Sequence, residues 1–379
     1  MKAALVHDQL QEFGGAERVL VALKNIFPDA DVYTSFYSPK KLGIHAEVFK
    51  NWRITTSWAD KIPFLKNLYS PLRFITPLIW EPFTFSEYDL VISSSGSYMS
   101  KGIITRPEIL HICYLHHPPR YLYGYETAIE WQKYALVKMY GNLINHDLRM
   151  WDYLSSQRVD FFMANSEETK KRIQKLYRRD AEVIYPPVKI NPKSPHMPDT
   201  DEAGQNPQSF YLSVSRLARA KHIEILIHSA NELNFHLKIV GTGRDASYLR
   251  SLAGPTVEFM NAISDQHLSL MYKKAKAFLF ASVDEEFGIA PVEAMGYGLP
   301  VIAYKSGGLN ETVDDGVNGF LYHKLESESL NEKIKILESL PNEKYKEMRK
   351  NARQKAENFS VEKFKKNISN FISLHHRNF

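Results

Sequence analysis

Short apolar segments alternate with amphipathic segments along nearly the whole chain. The first apolar segment, at 3–6, is followed by Ala16, Val19, Leu20 and Leu23, which share one face of a predicted helix. Further apolar segments, each typical of a strand, lie at 89–93, 111–115, 160–164, 182–185, 210–215, 236–240, 257–260, 277–281 and 299–303. Strands that alternate with helices predict parallel sheets covered on both faces, so we expect an α/β protein.

The alternation is interrupted once. Residues 186–209 are rich in Pro, Asp, Ser and Asn and show no periodicity, which is typical of a connection between domains. Two doubly wound, Rossmann-like domains that face each other across a cleft are therefore expected. Their predicted bounds are 1–190 for the first domain, 191–209 for the linker and 210–355 for the second domain.

The last segment, 356–379, predicts one more helix. Val361, Phe364, Ile368 and Phe371 recur at helical spacing and would form an apolar face. Such a face must pack on another part of the chain, and we expect it to pack back toward the N-terminal domain.

Composition narrows the class of protein. A length of 379 residues favours two domains, and a net charge of +5 is too small to indicate a nucleic-acid partner. Cys113 is the only cysteine, so no internal disulfide can form, and a reducing compartment is favoured. The start of the chain does not resemble a signal peptide, and no apolar segment has the length of a bilayer. We expect a cytoplasmic protein.

Residues 52–80 depart from the alternating pattern. Six aromatic side chains are interleaved there with the cations Arg53, Lys61, Lys66 and Arg73. Aromatic side chains with flanking cations suit a membrane interface, and peripheral contact with the inner membrane is one expectation. The other is a helical flap whose aromatic side chains pack into the first domain. The sequence leaves both open.

Gly14 and Gly15 fall between the first predicted strand and its helix. Backbone N–H groups at the start of a helix can face an anion, although a plain tight turn explains the pair equally well. The surrounding sequence does not match the dinucleotide motif G-x-G-x-x-G, and the chain has no G-x-x-x-x-G-K-[ST] phosphate loop. Dinucleotide enzymes and P-loop nucleotidases are thereby disfavoured.

Two cations follow the first strand of the second domain. Arg216 and Lys221 lie where parallel sheets bind ligands, at the carboxyl end of a strand. They could neutralise a diphosphate, or they could be solvated loop cations. Gly241 and Gly243 follow the next strand, in a turn where backbone could approach a base or a ribose.

The segment DEEFGIAPVEAMGYGLPVIA at 284–303 places Glu285 and Glu293 eight residues apart. Free backbone N–H groups are expected at the start of a helix between them. The carboxylates could accept hydrogen bonds from sugar or ribose hydroxyls, or they could flank a bond to be hydrolysed. Sequence spacing gives no separation in space, so it does not decide between these uses.

The same segment resembles the E-x7-E signature of retaining glycosyltransferases of the GT4 family, which have the GT-B fold. The resemblance extends in order along nearly the whole chain. It includes GGAE (14–17), YLHHPPRYLY (114–123), ANSEETKKRI (164–173), VIYPPV (183–188), SRLARAK (215–221), VGTG (240–243) and SGGLNETVDDGVNGFL (306–321). The motifs are most similar to those of bacterial mannosyltransferases of O-antigen and exopolysaccharide assembly.

The resemblance implies that a nucleotide-diphosphate sugar binds the C-terminal domain and that the acceptor binds mainly the N-terminal domain. Arg216 and Lys221 would hold the diphosphate, so neither a metal nor another cofactor is expected. Glu293 would bind the ribose, and Glu285 the donor sugar. The implied donor-binding residues are Gly15, Arg216, Lys221, Gly241, Gly243, Ile263, Glu285, Phe287, Gly288, Ile289 and Glu293.

The implied catalytic residues are Glu285, Arg216, Lys221 and, from the N-terminal domain, His116. Arg120 would contact the acceptor. GDP-mannose is the favoured donor, with UDP- and dTDP-hexoses as alternatives, and a lipid-linked saccharide is the favoured acceptor. Transfer with retention would proceed by front-face attack, with the leaving phosphate taking the acceptor proton.

Three positions depart from the family pattern. Ser215 precedes Arg216 where many relatives have glycine, Glu286 replaces a common glycine, and Asn261 lies where glycine is usual near the base. These differences bear on base selectivity. Two rival functions share the fold: a sugar-nucleotide epimerase, and a non-catalytic sugar-nucleotide-binding subunit.

Overall fold

The computed structural model describes residues 1–127, 134–190, 210–261 and 263–376. They divide into two compact units. The N-terminal unit comprises Met1–Tyr125, the described residues up to Pro187, and the chain from Glu362 onward. The C-terminal unit comprises Glu126, Thr127 and the described residues from Val188 to Val361. The predicted linker at 191–209 lies outside the described residues.

Parallel strands form the centre of the N-terminal unit. Within its described residues they make a seven-stranded sheet in the order β3-β2-β1-β4-β5-β6-β7. The strands are β1 Ala3–His7, β2 Asp31–Thr34, β3 Ile54–Thr56, β4 Leu90–Ser95, β5 Leu110–Leu115, β6 Phe161–Ala164 and β7 Glu182–Val183. Strands β2 and β3 were not predicted, because they are short and only partly buried.

Helices flank this sheet. They are α1 Gly15–Ile26, α2 Pro39–Leu42, α3 Leu65–Leu68, α4 Thr76–Trp80, α5 Ala135–Gln157 and α6 Glu167–Tyr177. Successive residues of a strand point to opposite faces, so Leu5 and Ile92 join one buried cluster while Val6 and Val91 join another. Burial on both faces explains why the central strands are continuous apolar segments rather than alternating ones.

A second parallel sheet forms the centre of the C-terminal unit. Over the part of the chain described there, it has six strands in the order β10-β9-β8-β11-β12-β13. The strands are β8 Phe210–Val214, β9 His236–Val240, β10 Val257–Met260, β11 Phe278–Phe280, β12 Val301–Tyr304 and β13 Gly319–Tyr322. The helices are α7 Ile223–Leu233, α8 Ala246–Leu252, α9 Asp265–Lys274, α10 Ile289–Met295, α11 Leu309–Thr312, α12 Ser327–Glu338 and α13 Asn342–Glu357.

The final helix, α14 (Val361–His376), packs on the N-terminal unit. Phe364, Ile368, Phe371 and Ile372 are buried in the same apolar cluster as Leu20 of α1. Each such side chain contributes roughly 1.5–3 kcal/mol when fully buried. The apolar residues at helical spacing thus form the buried side of a helix that covers one face of the first sheet.

The segment 52–80 has both buried and exposed apolar side chains. Trp80 is fully buried and donates a 2.6 Å hydrogen bond from Nε1 to the Tyr98 carbonyl, as a packed flap requires. Phe64, Phe74 and Leu78 are at least half exposed. None of the helices in the described ranges is long and apolar enough to cross a bilayer.

Candidate functional site

A lysine–serine–glutamate cluster lies at the carboxyl ends of β8 and β11, which are neighbours in the second sheet. Lys221 Nζ lies 2.5 Å from Glu285 Oε2. Ser282 Oγ donates a 2.7 Å hydrogen bond to the same carboxylate oxygen, and Lys221 Nζ donates one of 3.3 Å to Ser282. The side chains of Lys221 and Glu285 are 22% and 15% exposed, so the pair is partly shielded from water.

The contact between Lys221 and Glu285 was not predicted from the sequence. The resemblance assigned Lys221 to the diphosphate and Glu285 to the donor sugar, and these roles stay predictions. The structure joins the two side chains directly. An ammonium has three N–H donors, so the two bonds to Glu285 and Ser282 leave one further donor for an anion.

Glycines 307 and 308 set the backbone position of Glu285. Gly308 N donates a 2.8 Å hydrogen bond to the Glu285 carbonyl. A Cβ on Gly307 would lie 2.0 Å from that same carbonyl oxygen, and the residue has a φ of 55°. Only glycine fits such a close approach in the left-handed region. The SGG motif thus holds the loop that carries Glu285.

The remaining residues predicted around Glu285 lie on the same loop or on α10. Gly288, with a φ of 86°, precedes the first residue of α10, Ile289. Glu293 is part-buried on that helix. The Phe287 ring is buried against Phe359, with centroids 5.1 Å apart, so its side chain belongs to the core.

Close backbone packing requires glycine at positions 241 and 243, which follow β9. A Cβ on Gly241 would lie 1.9 Å from the Ser215 carbonyl oxygen, and one on Gly243 would lie 2.1 Å from that of Leu217. They allow this turn to pack on the loop that carries the exposed Arg216. From the sequence, Gly241 and Gly243 were expected only to approach a base or a ribose.

Ile263, predicted to lie near the base, is part-buried. It comes just before Ser264, which caps α9 by accepting a hydrogen bond from the His267 amide. Its role in donor binding stays a prediction.

Buried polar side chains meet at the carboxyl ends of β1, β4 and β5 in the N-terminal unit. His116 Nε2 lies 2.8 Å from Ser94 Oγ, and His7 Nδ1 lies 3.1 Å from the same oxygen. His7 Nε2 in turn lies 3.4 Å from Glu17 Oε1. The exposed fraction of each of these residues is 8% or less.

Glu17 also caps α1, the helix that begins at Gly15. Its Oε2 accepts a 2.7 Å hydrogen bond from the Gly14 amide, while Gly15 is the first residue of α1. Burial raises the pKa of Glu17, but the hydrogen bond and charge of His7 and the Gly14 amide outweigh it and lower the pKa. The Gly14–Gly15 turn is thus held by the hydrogen bond from the Gly14 amide to Glu17.

Asp8 holds the loop after β4. Its carboxylate accepts hydrogen bonds from the backbone amides of Gly96, Tyr98 and Ser100 at 3.0, 2.7 and 2.9 Å. Arg120, the predicted acceptor contact, is part-buried at the start of a short 3₁₀ turn. Its contact with an acceptor stays a prediction.

His222 follows Lys221 and bridges two glutamates. Its Nδ1 lies 2.9 Å from Glu224 Oε1, and its Nε2 lies 2.9 Å from Glu126 Oε2. Burial lowers the pKa of His222, but the bonds and charges of both glutamates outweigh it and raise the pKa. Burial likewise raises the pKa of Glu224, and His222 more than offsets it.

Several of these polar residues were not identified from the sequence. They are His7, Asp8, Ser94, Ser282 and His222. The usable signal was their position, because all except His222 lie within two residues of the carboxyl end of a buried strand, where parallel sheets gather polar groups. In the described ranges, no group of three or more His, Cys, Asp or Glu side chains is arranged to hold a metal ion.

Two family models match the chain. The model for glycosyltransferase family 4 matches residues 13–192. The model for glycosyl transferases group 1 matches residues 200–355. Each match coincides closely with one of the two sheet-centred units.

Named relatives are distant. The chain is 28% identical over 194 residues to the GtfA subunit of a UDP-N-acetylglucosamine–peptide N-acetylglucosaminyltransferase of Streptococcus pneumoniae, covering 48% of this chain but only 38% of that protein. It is 24% identical to the α-1,3/1,6-mannosyltransferase ALG2 of Kluyveromyces lactis, covering 83% of this chain and 71% of that one.

Among solved structures, Anabaena HepE in complex with UDP-glucose is similar with a TM-score of 0.69 and 20% identity, covering 98% of this chain and all of that one. That likeness is one of fold. With both family models matched in chain order over two parallel-sheet units, the chain belongs to the group 1, family 4 type of glycosyltransferases and has the GT-B fold.

Proposed function

We propose that the protein is a retaining, metal-independent hexosyltransferase that moves mannose from GDP-mannose to a lipid-linked saccharide. The observation that carries the proposal is the cluster of Lys221, Ser282 and Glu285 at the carboxyl ends of two neighbouring parallel strands. It places a cation and an ordered carboxylate together where such sheets bind ligands.

The cation is suited to the diphosphate of the donor. Lys221 offers a point charge, and Arg216, on the same loop, offers a planar fork of N–H groups. Both charges would stabilise the negative charge that grows on the leaving nucleoside diphosphate. In this proposal the two side chains supply the positive charge that Mg²⁺ supplies in metal-dependent transferases.

The carboxylates are suited to hydroxyl groups. Glu285 would accept hydrogen bonds from the donor sugar, and Glu293 from the ribose. His116 would contact the sugar from the N-terminal unit, and the chain of buried side chains behind it supports an ordered ring position. No protein nucleophile is required.

The transfer step involves two bonds at the sugar's C1. The bond between C1 and the diphosphate oxygen breaks, and its electron pair leaves with the nucleoside diphosphate. The acceptor oxygen bonds to C1 on the same face, and its proton passes to a phosphate oxygen of the leaving group. Retention of the anomeric configuration follows from attack on that face.

Mannose is favoured over other sugars by the relative ALG2, whose name states a mannosyltransferase. The alternative is a UDP-linked hexose, which is favoured by the complex of HepE with UDP-glucose. At 24% and 20% identity, neither protein assigns its substrate to this chain, so the donor has to be measured.

A lipid-linked acceptor is supported by exposed apolar side chains on the N-terminal unit. On the segment 52–80 they include Phe64, which is 75% exposed, and they lie among the cations Lys61, Lys66 and Arg73. On α5 they are Leu136, Met139 and Leu143, each at least two-thirds exposed. The Tyr140 hydroxyl of α5 donates a hydrogen bond to the Pro71 carbonyl, so the two surfaces adjoin.

The proposal is tested by transfer of label from donor to lipid. Purified protein is incubated with radiolabelled GDP-mannose or UDP-hexoses and with a lipid extract that contains polyprenyl-diphosphate saccharides. Label from GDP-mannose should enter the lipid fraction with the donor's α configuration. EDTA should leave the rate unchanged. Absence of transfer from every donor, or an inverted product, would contradict the proposal.

Membrane contact is tested separately by flotation with vesicles. Wild-type protein should float with vesicles that contain anionic lipid, and less so as salt rises. Phe64→Asp should weaken flotation. Ile336→Asp, at a 43% exposed position on α12, is the matched control and should float like wild type. Equal flotation of both variants would argue against this surface.

A further inference from the structure

A serine side chain joins the two loops that carry Lys221 and Glu285. Ser282 is 1% exposed and comes two residues after β11. Its Oγ lies 2.7 Å from Glu285 Oε2 and 3.2 Å from the Ala220 carbonyl oxygen, and it lies 3.3 Å from Lys221 Nζ. The Val283 amide donates a further hydrogen bond, of 3.2 Å, to the same carbonyl of Ala220. The loop after β8 and the loop after β11 are therefore joined at Ser282.

The single hydroxyl proton of Ser282 is directed at Glu285. The ammonium of Lys221 has no lone pair and can only donate, so Ser282 accepts from it. Two acceptors then compete for the serine proton, the Glu285 carboxylate at 2.7 Å and the Ala220 carbonyl at 3.2 Å. The carboxylate is both closer and charged, and charge-assisted hydrogen bonds are the stronger ones. Ser282 and Lys221 therefore both donate to Oε2 of Glu285.

The backbone between Ser282 and Glu285 turns so that the two side chains meet. Asp284 lies in the left-handed region with a φ of 53°, which is uncommon for a residue other than glycine. Its amide donates a 2.9 Å hydrogen bond to Ser306 Oγ, and the Gly308 amide donates one of 2.8 Å to the Glu285 carbonyl. These backbone contacts fix the place of Glu285 in the loop, and the contact with Ser282 directs its carboxylate.

The two donors to Oε2 respond differently to an anion. Under the proposed function, a diphosphate competes with Glu285 for the charge of Lys221, whereas the hydroxyl of Ser282 is neutral and buried. Ser282 can therefore keep its bond to Oε2 after Lys221 has turned to phosphate. We propose that Ser282 is a positioning residue that holds the Glu285 carboxylate toward the donor sugar while Lys221 binds the diphosphate. This role rests on the proposed function.

Ser213 provides a matched control. It lies on β8, in the same sheet, and it is buried as Ser282 is. Its Oγ has no hydrogen-bond partner within the described residues. Ser213→Ala therefore removes a buried hydroxyl from the same sheet without removing a bond to Lys221 or Glu285.

The first arm of the test measures kcat with the donor that wild type uses and the Kd for the matching nucleoside diphosphate. Ser282→Ala should lower kcat about ten- to a hundredfold, because the carboxylate is no longer held in place. The Kd should stay close to that of wild type, because Lys221 keeps its charge. Ser282→Cys keeps nearly the same volume but donates only weakly, so its kcat should fall as well. Ser213→Ala should match wild type in both quantities.

The second arm tests whether Ser282 acts through Glu285. In a Glu285→Ala background, Ser282→Ala should change kcat by less than about twofold, because the carboxylate that it positions is already gone. The melting temperatures of wild type, both single variants and the double variant test the contact without any substrate. The double variant should be less destabilised than the sum of the two single shifts.

A wild-type kcat in Ser282→Ala or Ser282→Cys would overturn the proposal. Equal fold losses of kcat in the wild-type and Glu285→Ala backgrounds would also overturn it, because Ser282 would then act elsewhere. A raised Kd with unchanged kcat would assign Ser282 to Lys221 instead. If wild type bound no nucleotide and transferred no sugar, the proposed function would fail, whereas the melting temperatures would still decide whether Ser282 holds Glu285.

Discussion

The ammonium group of Lys221 lies 2.5 Å from the Glu285 carboxylate, so the two charged residues expected to bind different parts of a donor are bound to each other. Each neutralises the other where no diphosphate is present. A bound diphosphate would compete with Glu285 for the lysine, and the carboxylate would then be better able to accept from sugar hydroxyls. In the proposed function, donor binding and the ordering of Glu285 would in this way be coupled.

Lys221→Met should weaken donor binding, and Glu285→Gln should slow turnover. We expect the Kd for nucleotide sugar to rise at least tenfold in Lys221→Met, because a charge-assisted bond to phosphate is lost. We expect kcat to fall about a hundredfold in Glu285→Gln, a size typical of one lost transition-state contact. Calorimetry and initial rates measure the two effects.

The control for both is Glu258→Gln, which changes an exposed acid on β10 that is paired only at the surface with Lys238. It should match wild type in Kd and kcat. The melting temperature of Glu285→Gln should stay within a few degrees of wild type, since the side chain is part-exposed. Full turnover by Glu285→Gln would remove Glu285 from the mechanism.

Removing one partner of the buried ion pair between Lys101 and Asp152 should be strongly destabilising. Both side chains are fully buried with Nζ and Oδ1 2.8 Å apart, and Lys101 also donates to Ser155 Oγ at 2.7 Å. Lys101→Met leaves a buried carboxylate without its counter-charge. The free energy of unfolding should fall by about 3–5 kcal/mol, measured by urea denaturation.

Two variants check the cause of that loss. Lys101→Met combined with Asp152→Leu removes both charges and should cost less than Lys101→Met alone. Lys50→Met breaks an exposed pair with Glu47, where the side chains are 67% and 76% exposed, and should change stability by less than about 1 kcal/mol. A double variant no better than the single would mean that packing, not charge, is responsible.

His222 should make stability depend on pH. Its pKa is raised above the ordinary 6.5 by Glu224 and Glu126, despite burial. Charged His222 therefore stabilises the fold fully below about pH 6.5, and this contribution is lost as pH rises through the folded pKa. The pKa of Glu224 is lowered from 4.5, so its contribution is lost as pH falls through the folded pKa.

Unfolding free energies of wild type and His222→Gln, measured between about pH 6 and pH 8, isolate the histidine. The difference between them should shrink as pH rises. A side-chain NMR titration should also place the His222 pKa above that of a model peptide. A difference that does not vary with pH would show that the pKa of His222 is the same in the folded and the unfolded protein.

The parallel strands could be predicted from the sequence because buried parallel strands are continuous apolar segments. Leu5 and Val6 are adjacent yet face different clusters, and that pattern alone indicates a sheet covered on both sides. Strand β2 was not predicted because its four residues, DVYT, include an acid and are only half buried. Short, partly buried strands carry too little apolar signal to be recognised.

Only part of the candidate site could be predicted from the sequence. Glu285 and Lys221 were identified singly, but they are 64 residues apart, and no local pattern predicts that they pair. His7 and Ser94 were missed for the same reason, since their contact depends on the register between β1 and β4. Gly241 and Gly243 were given a ligand role because the sequence does not show that the backbone of Ser215 and Leu217 packs against them.

The most direct test of the central claim is a calorimetric titration of wild type and Lys221→Met with GDP, GDP-mannose, UDP and UDP-glucose, with and without EDTA. At a hundred times Kd, a ligand should stabilise the protein by about 2.7 kcal/mol, so thermal shift can confirm each titration. We predict that GDP-mannose binds wild type equally well with and without EDTA and binds Lys221→Met much more weakly. No binding of any nucleotide, or equal binding to both proteins, would contradict a diphosphate site at Lys221 and Glu285.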